Sequence, residues 1–234
     1  ELNKNAITEL DLKKTLNLIA QLAAAGVKKV NITGGEPLLH KNFDEITAAL
    51  KKKNIFTVVS NNGLLIKKKI QALKNVNYVM MSFDGKPENH NRLRGANTHK
   101  LALEAMDIMN SNNIKFFTTT TLNKYNINDI DYILDVAEEK KFFTNFTLLQ
   151  FFEFDNNFNS LPTFERVREI FPDTEQIRKC FNYLIERKKQ GARIGSTIKY
   201  LKIMADWEDY RFLTSKKNYG FNCMAGRLYA HIYY

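Results

Sequence analysis

The feature that most limits what this chain can become is a change of hydrophobic period, repeated from residue 8 to about residue 151. Stretches with apolar residues at helical spacing alternate with short runs rich in Val, Ile, Phe and Thr, the mark of βα units wound around a parallel sheet. Thr8 is placed to cap a first helix with Leu12, Leu16, Ile19, Ala20 and Ala23 on one face and Gly26 at its end. The pattern then predicts a strand over 27–33, a helix over 42–53 with Phe43, Ile46 and Leu50 inward, a strand over 55–60, a short helix over 67–73 and a strand over 78–82. A long polar loop leads to a helix over 98–113 that buries Leu101, Ala105, Ile108 and Met109. A strand over 114–122, a helix marked by Ile130, Ile133, Leu134 and Ala137, a strand over 145–152 and a loop over 153–160 complete the series. Helices then follow one another over 163–170, 174–190 and 196–207, before a strand over 227–234. This change of grammar divides the chain into residues 1–160 and a separate segment, 161–234.

Composition narrows the class further. With 234 residues, 44% hydrophobic and 26% charged, the chain has material for an α/β core, which excludes disorder and collagen-like repeats. No apolar run approaches the roughly 18 residues of a membrane span, and the first residues lack the layout of a signal peptide, so a cytoplasmic protein without membrane contact is expected. Only Cys180 and Cys223 are present, too few for a disulfide scaffold or a self-contained four-cysteine zinc site. Cys180 shares a helix face with Ile177, Phe181 and Leu184 and reads as structural. The four histidines show no i, i+4 pairing and are assigned no metal. Lys plus Arg outnumber Asp plus Glu by 35 to 25, a formal charge of +10 that suits acidic partners. Much of the excess sits in Lys51–Lys53 and Lys67–Lys69, read as solvated helix faces rather than a nucleic-acid footprint.

Parallel α/β sheets bind ligands at the carboxyl ends of their strands, where the βα loops carry polar groups. In order these ends read Gly34-Gly35-Glu36-Pro37, Ser60-Asn61-Asn62-Gly63, Ser82-Phe83-Asp84-Gly85, Thr118 to Thr121 with Asn123, and Gln150. Gly34 and Gly35 expose backbone groups at close range, and the Glu36 carboxylate can accept from an ammonium group. An acid directly after two glycines argues against a phosphate nest.

These residues carry a resemblance. The strand Val30 to His40 with its G-G-E-P, Val58-Val-Ser-Asn-Asn-Gly63, Met81-Ser-Phe-Asp-Gly85 with His90-Asn-Arg-Leu-Arg-Gly95, and Cys223-Met-Ala-Gly226 are similar to the radical S-adenosylmethionine (radical SAM) enzymes with a SPASM or twitch extension. The resemblance implies a partial (β/α)6 TIM-like barrel over residues 1–160 and a helical bridge into the start of an auxiliary cluster domain over 161–234. It implies S-adenosylmethionine, a 4Fe-4S cluster and an auxiliary iron-sulfur cluster as cofactors, with Cys223 as a ligand of the auxiliary one. Gly35 and Glu36 would meet the methionyl amino group, Ser82 the ribose or carboxylate, and Arg94 the carboxylate. Ser60, Asn62, Thr119 or Thr121, and Gln150 would line the same cavity, while Asp84 with Gly85 shapes a turn. The implied reaction is reductive cleavage of S-adenosylmethionine followed by hydrogen abstraction. The implied partners are a peptide or protein substrate, acidic if the net charge is a guide, and a reductant such as flavodoxin or ferredoxin.

The family's C-x-x-x-C-x-x-C loop, whose thiolates hold the cluster, is not found in this sequence. Its place in the family would be just upstream of Glu1, which leaves two explanations: the chain omits that segment, or it is a non-catalytic, peptide-binding relative that has lost the cluster. Omission is the expectation, and the polypeptide as written is not expected to perform radical chemistry.

Overall fold

The computed structural model describes residues 11–149, 168–210 and 219. Its elements are α1 (Leu12–Ala24), β1 (Lys29–Ile32), α2 (Phe43–Lys52), β2 (Phe56–Asn61), α3 (Ile66–Leu73), β3 (Tyr78–Ser82) and α4 (Pro87–Arg94). They continue with α5 (Thr98–Ser111), β4 (Phe116–Leu122), α6 (Ile130–Glu139), β5 (Phe143–Leu148), α7 (Thr174–Lys189) and α8 (Ile198–Ala205). The strands form one parallel sheet in the order β1-β2-β3-β4-β5, the open α/β arrangement expected of a partial barrel. Beside β5, Thr144 donates its N–H to Arg193 O and accepts from Gly195 N–H, so residues 193–195 continue the parallel order at one bridge.

Each strand divides its side chains between two faces. Val59, Val79, Met81, Phe83, Phe116, Leu122 and Phe146 point to the helix layer and are buried. There they meet Leu73, Met106, Met109, Ile133 and Leu134, together with Ile177, Phe181 and Leu184 of α7, in one cluster. Burial of each such side chain stabilises the fold by roughly 1.5–3 kcal/mol. Ile19, Leu50 and Ile55 form a smaller cluster under α1. The opposite face is half-open. Its lower row holds Phe56, Tyr78 and Phe117 with neighbouring centroids 6.1 and 6.2 Å apart, and Phe143 opposite Phe117.

Five details depart from the periodicity reading. The first helix starts at Leu12, because the Asp11 side chain accepts from Lys14 N–H at 2.8 Å; Thr8 lies outside the described residues. Leu16 and Ala20 face outward, leaving Ile19 as the buried residue of α1. In α5 the buried stripe is Ala102, Ala105, Met106 and Met109, and Leu101 is exposed, because small Ala102 lies against the close-packed Gly63 turn. Residues 87–94 form a helix rather than a loop, with Pro87 in its first turn, Glu88 near its positive end, Arg92 and Arg94 near its negative end, and Gly95 at φ +109° as its cap. The last strand begins two residues earlier than expected, at Phe143, which pairs with Phe117. The strand over 227–234 and the boundary at residue 160 lie outside the described residues.

The two ends of the sheet differ in charge. Every connection from a helix into a strand position carries a cation and no acid: Lys28, Lys53, Lys74, Lys115, Lys140 with Lys141, and Arg193. Helix carboxyl ends converge there and favour positive groups; Lys51 Nζ donates to Lys74 O at 3.1 Å. The opposite end is mixed, with Glu36, Asp84 and Asp129 among Lys41, Lys86 and Lys124.

Candidate cofactor and substrate site

At the carboxyl ends of the strands, the half-open face changes from aromatic to hydroxyl and amide. Ser82, Thr119 and Asn145 are register partners across β3, β4 and β5, and Thr121 and Thr147 form the next row. On the other side Ser60 Oγ donates to Asn31 Oδ1 at 3.2 Å. The four threonines of β4 divide by face. Thr118 and Thr120 are buried toward the helices, and their hydroxyls donate to Thr144 Oγ1 at 2.9 Å and Phe83 O at 2.6 Å. Thr119, on the open side, has a buried hydroxyl with no hydrogen-bond partner among the described residues. An orphaned buried hydroxyl costs of the order of 1–3 kcal/mol, which a ligand group would recover.

The Gly34-Gly35-Glu36 turn closes this mouth over β1. A Cβ on Gly34 or Gly35 would meet nothing within 4 Å, so space is open beside the backbone. Glu36 Oε1 accepts from Leu38 N–H at 3.1 Å and caps a short 3₁₀ turn, Pro37–Leu39. Its Oε2 accepts from Asn62 N–H at 2.9 Å, tying the ends of β1 and β2. One bond per oxygen leaves lone pairs for an incoming ammonium. Asn62 thus reaches Glu36 through its backbone, while its side-chain oxygen accepts from Leu64 N–H and shapes the turn.

Arg94 enters from α4. Its Nε donates to Asp84 Oδ2 at 2.6 Å, and Asp84 Oδ1 accepts from Thr121 N–H at 2.9 Å. The end of β3 is latched further: Asn126 Nδ2 donates to Asp84 O, and Asp129 Oδ2 accepts from Lys86 N–H and Asn89 Nδ2. Behind it, Phe83 packs against the rings of His90 and His99, each 5.5 Å away and themselves 5.7 Å apart, and Tyr132 hydroxyl lies 2.9 Å from His99 Nε2. His90 Nδ1 accepts from Asp84 N–H, which places the proton of the neutral ring on Nε2.

Burial holds His90 down to a pKa of about 4, with His99 and Arg94 adding to the effect and Asp84 opposing it. The folded value lies below the unfolded one, so the unfolded chain takes up the proton first as pH falls. The stability tied to neutral His90 is complete above about pH 6.5 and is lost as pH falls toward 4; by pH 5 the loss is about 2 kcal/mol. Urea unfolding of His90→Asn against wild type checks this: the variant should show a flatter dependence from pH 7 to 5. An unchanged slope would count against the shift.

The structure therefore brings Gly34, Gly35, Glu36, Ser60, Asn62, Ser82, Thr119 and Thr121 to one mouth, with Arg94 anchored at its rim. Gln150 and Cys223 lie outside the described residues. Asn31, Asn145 and Thr147 share the face and were missed by sequence reasoning, because the strand pairing that sets them beside Ser60, Thr119 and Thr121 is not written in the residue string. The donor set fits S-adenosylmethionine: a carboxylate for its ammonium, hydroxyls for its ribose, an arginine for its carboxylate. The chain's cysteines do not fit a 4Fe-4S cluster, which takes three or four thiolates. Burial pushes the Cys180 thiol up to about 12, inside the helix layer.

A Radical SAM superfamily model matches residues 3–137. Fe-coproporphyrin III synthase of Methanosarcina barkeri is 34% identical over 137 residues, 57% of this chain and 34% of that protein. GTP 3',8-cyclase of Helicobacter pylori strain J99 is 31% identical over 190 residues, 78% of this chain and 57% of that protein. The chain thus spans about a third to somewhat over half the length of these relatives. Among solved structures, Streptococcus suis SuiB bound to precursor peptide SuiA aligns with a TM-score of 0.66 at 17% identity, covering 83% of this chain and 43% of that one. Native anSMEcpe with bound AdoMet and Kp18Cys peptide aligns at 0.60 and 18% identity, covering 82% and 56%. These likenesses show the fold, and with a superfamily match over more than half its length, at residues that include the Gly34 to Glu36 turn, the Ser82 strand end and Arg94, the chain belongs to the radical SAM superfamily.

Proposed function

We propose that this chain binds S-adenosylmethionine across the carboxyl ends of its strands and serves an enzyme that modifies a peptide or protein. A 4Fe-4S cluster, which the two cysteines of this sequence do not suffice to hold, would supply the electron for cleavage of a sulfonium bond of S-adenosylmethionine and so start hydrogen abstraction. The described residues supply binding and shielding: Glu36 accepts from the ammonium, Ser82 and Thr119 face the ribose, and Arg94 pairs with the carboxylate. The open sheet face carries the substrate reading. Its described strand residues are mostly hydroxyl, amide and aromatic, with Val58 and Met80 between the aromatic row and the polar ends and Lys29 as the one charged side chain, a lining suited to peptide amides and side chains. The peptides in the SuiB and anSMEcpe structures agree with this reading.

A second reading follows from GTP 3',8-cyclase among the relatives, which favours a purine nucleotide. A triphosphate calls for several cations, and the described lumen offers few. The test is 5'-deoxyadenosine release by the anaerobically reconstituted holoenzyme with dithionite, in the presence of GTP or of peptides encoded beside its gene. Peptide-dependent release with a mass change in the peptide is expected. Release stimulated by GTP alone would replace the peptide reading, and failure to bind S-adenosylmethionine would overturn both.

A further inference from the structure

We infer that Asp84 is a positioning residue for S-adenosylmethionine: it fixes the Arg94 guanidinium at the rim of the mouth so that the terminal nitrogens are presented to the ligand carboxylate. The inference deepens the proposed function and rests on its reading of Arg94.

The Asp84 side chain is 2% exposed, whereas that of Arg94 is 36% exposed. One partner of the pair is therefore rigid and buried while the other reaches solvent. Every polar group of Asp84 is engaged. Oδ2 accepts from Arg94 Nε, Oδ1 from Thr121 N–H and the carbonyl from Asn126 Nδ2, and the N–H donates to His90 Nδ1. The carboxylate has no rotamer freedom left, and the guanidinium inherits that order. Because the pair is made through Nε, both terminal nitrogens of Arg94 keep their donors, and no described residue accepts from them. A guanidinium is a planar fork that can serve one carboxylate along an edge while offering the remaining donors to another. A lysine could neutralise Asp84 equally well, but its remaining donors sit on one freely rotating point charge and offer no second planar edge held at a fixed angle.

Position agrees. Asp84 follows Ser82 by two residues, and through Oδ1 it touches the backbone of Thr121, so the pair straddles the ends of β3 and β4 where the open face becomes polar. Simple turn-shaping would require the Asn126 and His90 contacts but not a buried charge aimed at α4.

The experiment compares S-adenosylmethionine with its decarboxylated analogue by equilibrium dialysis on the holoenzyme. Wild type should bind S-adenosylmethionine better than the analogue. Asp84→Asn and Arg94→Gln should each weaken S-adenosylmethionine binding roughly tenfold or more, while the analogue changes less than about twofold. Arg94→Lys should fail to restore the preference. Asp84→Glu keeps the charge but moves it by one methylene, and it should lose part of the preference; it decides the matter by the same comparison if Asp84→Asn does not fold. Equal weakening of both ligands by the Asp84 variants would overturn the inference and make the residue structural. Preference abolished by Arg94→Gln but retained in the Asp84 variants would overturn the inference alone. A wild type indifferent to the carboxylate would overturn the reading of Arg94 itself.

Discussion

Glu36→Ala is expected to lower S-adenosylmethionine affinity by about 100-fold, the largest effect of any single change at the mouth. Two losses combine. The ligand ammonium loses a charged acceptor in a half-buried site, where a charge-assisted bond is worth about twice a neutral one. The Leu38 and Asn62 N–H groups lose their acceptor as well, so the ends of β1 and β2 are no longer tied together. Stability should fall by about 1–3 kcal/mol from those orphaned donors. Glu36→Gln separates the two losses, because its amide oxygen can keep one N–H bond while the charge is gone. It should recover part of the stability and little of the affinity. Equilibrium dialysis and urea unfolding read the two quantities, and affinity within twofold of wild type in Glu36→Ala would remove Glu36 from the ligand site.

Gly85→Ala is expected to destabilise the fold by about 3–5 kcal/mol, combining backbone strain with overpacking. The residue holds φ at +119°, and a Cβ there would stand 2.4 Å from Asp129 Oδ2. Asp129 cannot step aside cheaply, since the same oxygen accepts from Lys86 N–H at 3.0 Å and Asn89 Nδ2 at 2.7 Å. The turn and the start of α6 would have to separate together, moving Asp84 and Arg94 with them. Two other glycines calibrate the measurement. Gly34 has φ +147° with open space, so alanine there should show strain alone; Gly35 has neither constraint, so its alanine variant should be near wild type in stability. Urea unfolding of the three variants should rank Gly85 far above Gly34 and Gly34 above Gly35. A loss below about 1 kcal/mol at Gly85 would contradict the latch.

Much of this was legible in the residues before any fold was seen. Alternation of period placed the five strands, and their polar ends picked out the Glu36 turn, Ser60, Ser82 and the β4 threonines, because sheets of this kind expose ligand groups there. Parity resolves less when both faces carry the same residue type. In Phe116 to Leu122, nothing in the string of four threonines says that Thr118 and Thr120 turn to the helices and Thr119 to the lumen; pairing with Thr144 and Asn145 decides it. The α4 helix was missed because its polar composition masked its signals, a proline in the first turn, an acid nearby, arginines at its end and a capping glycine. Arg94 was recognisable as a ligand candidate, but its bond to Asp84 depends on α4 folding back over the end of β3. Burial of Ala102 in place of Leu101 likewise depends on Gly63, whose Cβ would lie 2.9 Å from Met81 Sδ, a crowding that periodicity does not encode.

The ring of cations at the amino ends of the strands has a consequence for how the net charge of +10 acts. A five-residue strand spans about 17 Å, roughly twice the screening length of about 8 Å in physiological salt. The field of Lys28, Lys53, Lys74, Lys115 and Lys141 is therefore largely spent before it reaches the pole where Glu36 and Ser82 sit. Charge added or removed at the amino ends of the strands can therefore be tuned with little effect on the local electrostatics of ligand capture, which Glu36, Arg94 and their immediate neighbours set.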